Sequence, residues 1–117
     1  MRLLHCITVV VLIGLFASAS APAATLTRES VREILRAVVV VEADVPAEAR
    51  TANSLGRTRR GAGVVIDGDG LVLTIGYLIL EASSVNLTDS EGREIPASIV
   101  AYDHETGFGL LRALAPL

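Results

Sequence analysis

The chain has 117 residues, of which 51% are hydrophobic and only 3% aromatic, with ten basic residues against thirteen acidic ones and a formal net charge of −3. That length allows one domain at most, and an acidic balance without a basic tract argues against nucleic-acid binding, which needs clustered cations. With so few aromatics, any core must be built from Val, Ile, Leu and Ala.

Residues 1–23 read as a secretory signal peptide. Met1-Arg2 is a positive start, Cys6 to Phe16 is an apolar run, and the small residues from Ala17 to Ala24 supply an A-x-A exit. Cleavage fits after Ala19 or after Ala23. A membrane anchor is the weaker reading, because a spanning helix needs roughly 20 apolar residues. Cys6 precedes the apolar run, which speaks against a lipoprotein. Export would remove His5, Cys6 and Arg2 and move the net charge from −3 to −4. No cysteine would remain, and His104 would be the one histidine. Disulfides, thiol catalysis and Cys/His zinc sites fall away, and no cofactor or metal is expected. The expected compartment is the bacterial periplasm, with no membrane span after signal removal.

Thr27 can cap a short helix on which Val31, Ile34 and Leu35 share a face. The β-branched run from Arg36 to Ala43 predicts a buried strand ended by Pro46. Residues 46–60 are small, polar and finally basic, which predicts a solvated loop carrying Arg57, Arg59 and Arg60. Gly61 to Thr74 reads as a β-hairpin around Asp67-Gly68-Asp69-Gly70, and Gly61 and Gly63 suggest close backbone approach or a bend. Asp67 and Asp69 are turn residues here, since a calcium loop needs further acidic ligands.

Ser84 to Thr88 alternates as a strand, and Asp89 to Gly92 turns it. Arg93 to Tyr102 returns, with Pro96 implying an edge or a bulge. A loop over Asp103 to Gly107 leads to a last strand, Phe108 to Ala113. About six short antiparallel strands with hairpin spacing predict an all-β fold, a small barrel or sandwich, preceded by a short helix. An apolar C-terminal ALAPL and a small mature chain predict an incomplete domain.

This order of elements resembles the first half of a trypsin-like serine protease of the HtrA type, over residues 27–117. Gly61-Ala62-Gly63-Val64-Val65-Ile66-Asp67 is similar to that family's G-S-G strand followed by three hydrophobic residues. Asp69-Gly70-Leu71-Val72-Leu73-Thr74 is similar to its hairpin return. Thr88 to Ala97 is similar to its L-x-D-G-R-x-x-x-A segment, and Val100 to Thr106 to its V-x-x-D-x-x-T approach to the catalytic aspartate. The resemblance implies a trypsin-like N-terminal barrel, partial as the chain stands, with the second barrel absent.

The departures fall on the chemistry. The resemblance places the general-base histidine at Tyr77 and the aspartate that orients it at Gly107, while the serine and oxyanion hole would lie beyond Leu117. Serine attacks only when a base takes its proton. A phenol ordinarily ionises near pH 10 and is a poor substitute. His104, three residues before Gly107 and between Asp103 and Glu105, reads as a solvated loop residue. Tyr77 reads as an aromatic filling space between strand and helical patch, with its hydroxyl reaching a partner. Two functions therefore stand side by side. One is a fragment or pseudoprotease of the serine endopeptidase family, without a usable triad and retaining polypeptide or partner-protein binding. The other is a stand-alone periplasmic β-barrel binding module with no proteolytic role.

Overall fold

The computed structural model describes residues 24–117, so the signal-peptide reading lies outside the described residues. Helix α1 spans Arg28–Arg36 and strand β1 Val38–Asp44; a short helix α2, Ala52–Leu55, lies between β1 and β2, Thr58–Val65. Strand β3 is Leu71–Ile75, followed by a 3-10 turn, Gly76–Leu78; then come β4, Ser84–Thr88, β5, Glu94–Tyr102, and β6, Phe108–Ala113. Every strand pairing is antiparallel, and the order β1-β2-β3-β6-β5-β4 closes on itself as a barrel.

Closure gives each strand one inward face, so burial follows a period of two. In β1, Val39, Val41 and Ala43 are buried while Val38 and Glu42 face outward. The expectation of a wholly buried strand is corrected accordingly: a barrel has a single interior, and only alternate valines reach it. Val72, Val85, Leu87, Ile95, Leu111 and Ala113 complete the interior, with Leu78 and Ile79 entering from the turn after β3. Burying a side chain such as Leu87 or Leu111 contributes about 1.5–3 kcal/mol.

The inward positions of β2 are Arg59, Gly61, Gly63 and Val65. A Cβ on Gly63 would lie 2.6 Å from Val72 Cγ1 and 2.9 Å from Val41 Cγ2, and one on Gly61 would lie 2.6 Å from Leu78 Cδ1. The glycines let neighbouring side chains cross β2, as their pattern suggested. The Asp67–Gly70 hairpin also stands: Asp67 Oδ1 accepts from the amides of Asp69 and Leu71 at 2.9 and 2.8 Å, and Gly70 has φ +78°. Arg112 reaches Asp67 Oδ2 at 3.4 Å and the Asp69 carbonyl at 3.2 Å.

Two details differ from the sequence expectation. Pro96 is on no edge, since β5 has neighbours on both sides, and the bulge falls between Ile99 and Ala101. Pro96 is tolerated because it lies one residue outside the β5–β6 ladder, where its carbonyl still accepts from Leu114 at 2.9 Å. Helix α1 forms as expected, with the Thr27 hydroxyl accepting from the Ser30 amide at 3.2 Å. Its apolar face of Val31, Ile34 and Leu35 nevertheless stays exposed, and no residue of the helix is buried.

Candidate functional site

The two positions where the resemblance would put an imidazole and its carboxylate lie at one end of the barrel. The turn after β3 brings Tyr77; the loop between β5 and β6 brings Gly107. The Gly76 amide donates to the Gly107 carbonyl at 2.7 Å, so the two segments are joined through their main chains. The amides of Ile79 and Leu80 then both donate to the Gly76 carbonyl at 3.1 Å. Gly76 has no room for a side chain, because the Tyr102 ring lies against its Cα.

The 103–107 loop is organised by one carboxylate. Asp103 accepts from the Glu105 amide at 3.0 Å and from the Thr106 hydroxyl at 2.7 Å, while the Gly107 amide donates to the Asp103 carbonyl at 2.9 Å. The Thr106 hydroxyl, then the Glu105 amide, hold the Asp103 carboxyl below the usual carboxylate range. Gly107 itself sits at φ +75°, the left-handed region that favours glycine. His104 is exposed, as expected, and its ring meets Tyr102 edge-on with centroids 4.4 Å apart.

Tyr77 does not fill the space between strand and turn. It is 47% exposed, and its hydroxyl has no hydrogen bond among the described residues. Leu78 and Ile79 take the interior positions instead, because the tight turn points its second residue outward. Tyr77 stands near an outward-facing cross-strand pair, Ile75 and Phe108, also about half exposed. Among the described residues no group of three or more His, Cys, Asp or Glu side chains could hold a metal ion.

The largest correction concerns Arg59. It was expected in a solvated loop, yet it belongs to β2 and is 3% exposed. Its Nε donates to the Gly56 carbonyl at 3.1 Å, Nη1 to the carbonyls of Tyr77 and Leu80 at 2.7 and 2.8 Å, and Nη2 to Thr51 Oγ1 at 2.8 Å. The guanidinium thus fixes the main chain of the turn whatever side chain stands at position 77. A signal was available: Arg59, Gly61, Gly63 and Val65 share one parity, so an inward Gly61 carries Arg59 inward with it. Arg57 and Arg60 are exposed, as expected.

Six antiparallel strands closed in this order, with a helix-like turn after the third, form a barrel of the trypsin-like fold. Its likeness among solved structures is to the HtrA type. Structures of the HtrA-type protease AlgW with tripeptide, one of the protein and one of a substituted form, each align at a TM-score of 0.59 and 22% identity. Each alignment covers 70% of this chain and 24% of the other, so the chain spans about a quarter of the length of those proteins. No family model matches the sequence, and no curated protein does. At that identity the likeness establishes the fold.

Proposed function

We propose that this chain is an exported, HtrA-like barrel that engages polypeptide or a partner protein and does not itself cleave peptide bonds. The observation that carries the reading is Tyr77 and Gly107 standing where the resemblance would put a base and its orienting acid, on two segments joined by the Gly76 amide donating to the Gly107 carbonyl. Acyl transfer to serine requires a group that accepts a proton near neutrality, held in one tautomer by a second group. Among the described residues the one imidazole, His104, packs on Tyr102, with nothing arranged to aim it at a nucleophile. The exposed side chains there are apolar and aromatic instead: Tyr77, on the turn that Arg59 holds, and the cross-strand pair Ile75 and Phe108 at the ends of β3 and β6. Export rests on the pattern of residues 1–23. No described helix is long and apolar enough to cross a membrane.

The test is to incubate the chain with reduced, carboxymethylated lactalbumin, an unfolded protein. No hydrolysis is expected, together with an association that weakens at least several-fold in Tyr77→Ser. Hydrolysis by the wild-type chain would overturn the catalytic half of the reading. Binding that is absent, or indifferent to Tyr77→Ser, would overturn the other half.

The closed ring favours a second reading, a binding module that stands alone. Because β1 pairs with both β2 and β4, the barrel has no open strand edge that needs another domain to cover it. Cooperative unfolding of the isolated chain supports this version; a molten, aggregating chain opposes it.

A further inference from the structure

Glu81 is the one non-glycine residue at positive φ among the described residues, at +60°. Side chains disfavour that region, so a glutamate stays there only where its surroundings hold it. It reaches across the sequence to the β1–β2 loop. Oε2 accepts from the Thr51 hydroxyl at 2.6 Å and the Thr51 amide at 2.8 Å, and Oε1 accepts from the Arg50 amide at 3.3 Å. The Arg50 guanidinium lies 3.9 Å away.

Thr51 precedes α2 at its N-cap position, where a threonine hydroxyl ordinarily bonds its own helix. Here it makes no cap bond. It gives its proton to Glu81 and accepts from Arg59 Nη2. A buried cation and a carboxylate are thereby bridged by one hydroxyl. On the far side, Arg59 holds the carbonyls of Tyr77 and Leu80. At its stem the loop is tied by the Val45 amide on the Arg57 carbonyl at 2.7 Å. Beyond that stem, among the described residues, hydrogen bonds join residues 46–56 to the rest of the barrel through Arg50 and Thr51, which meet Glu81, and through Thr51 and the Gly56 carbonyl, which meet Arg59.

We propose that Glu81 is an acid-operated latch: as a carboxylate it holds the 46–57 loop against the turn that carries Tyr77, and on protonation it releases the loop while the barrel stays closed. The inference is independent of whether the surface at Tyr77 binds polypeptide. Thr51 hydroxyl and amide hydrogen bonds, in that order, hold the Glu81 carboxyl below the usual range. A depressed folded value means that the hold is complete above the ordinary carboxylate range and is lost as pH falls through the folded value. Of the charged groups facing Glu81, Arg50 comes from the loop and Arg59 from β2 through the Thr51 hydroxyl, while Asp44 of β1 bonds the neighbouring Ser83 and Ser84 hydroxyls. Asp44 is otherwise engaged, its carboxylate accepting from Thr58 and Ser84 hydroxyls at 3.2 and 3.4 Å. Glu48, in the same loop, is exposed and serves as a control.

The experiment is amide hydrogen exchange on the full chain, as protection factors between pH 6 and pH 3, for the wild type, Glu81→Gln and Glu48→Gln. In the wild type and in Glu48→Gln, protection at Thr51 should fall at least tenfold on acidification, while Val41, Leu87 and Leu111 stay protected. Glu81→Gln should show the low Thr51 protection already at pH 6 and little further change. Acid loss of Thr51 protection that persists unchanged in Glu81→Gln would overturn the latch. So would loop and barrel amides opening together in the wild type, or Thr51 protection in Glu81→Gln within twofold of wild type at pH 6. If Glu81→Gln fails to fold, the wild-type profile decides: selective loss at Thr51 supports the latch, and uniform or absent loss removes it.

Discussion

Gly107 gives its carbonyl to the Gly76 amide at 2.7 Å while its own φ is +75°. The loop that would have to carry an orienting carboxylate is thus wound into a shape that glycine adopts without strain and other residues resist. Gly107→Asp is expected to destabilise the barrel by about 1 kcal/mol, through backbone strain alone, since a Cβ there meets nothing within 4 Å. Thermal unfolding should show Tm lower by roughly 4–8 °C. An unchanged Tm would mean that the loop rewinds readily.

Gly63 and Gly68 separate crowding from backbone freedom. Gly63→Ala drives a methyl group into Val72 and Val41 and should cost about 1–3 kcal/mol, the usual range for overpacking a filled interior. Gly68→Ala meets open space at the hairpin tip and should stay within about 0.5 kcal/mol of wild type. Urea unfolding midpoints of the two variants give the comparison directly.

Arg59→Leu keeps bulk but leaves the carbonyls of Gly56, Tyr77 and Leu80 without their donor. Unpaired buried acceptors cost about 1–3 kcal/mol each, less whatever water recovers, so a net loss of about 3 kcal/mol is expected. Arg59→Lys should recover only part of it, because an ammonium cannot spread its donors over a planar fork. Denaturant unfolding measures both. Equal stability of wild type and Arg59→Leu would show that the turn holds its own shape.

Acid should weaken the fold for a reason spread over its turns. Asp67 is held down by the Leu71 amide, Asp89 by the Arg93 amide, and Asp103 by the Thr106 hydroxyl, as Glu81 is by Thr51. Each folded value lies below the unfolded one. Each group therefore stabilises the fold above the ordinary carboxylate range and loses that contribution as pH falls through its folded value. Tm is expected to be nearly level from pH 7 to about 5 and to drop below about pH 4. Asp67→Asn should lower Tm at pH 7 and flatten the acid limb. A Tm that rises on acidification would contradict the assignment.

Much of the barrel is legible in the sequence because its determinants are local. Asp67-Gly68-Asp69-Gly70 sets a hairpin by turn chemistry, and the alternation of Val85 and Leu87 marks an inward face. The outward position of Tyr77 was not legible, because it depends on Leu78 and Ile79 finding space beside Gly61 and Gly109, far off in sequence. Thr51 and Glu81 were missed for a similar reason: thirty residues part them, and nothing local to either announces the other. For Arg59 charge and parity disagree: charge alone points to solvent, while its place in the alternation of β2 points inward, and parity wins.

The ring is sealed by β1 and β4, where Val41 faces Leu87 and Val40 faces Thr88. Those partners lie 46 and 48 positions apart in the sequence, so their meeting requires closing a long loop before any contact rewards it. Folds dominated by such distant pairings acquire their structure in roughly milliseconds to seconds, well behind helical bundles of equal size. Until that seam closes, β1 and β4 each present an unpaired flank, and the same closure that removes every edge from the finished molecule makes the nascent one slowest to protect itself.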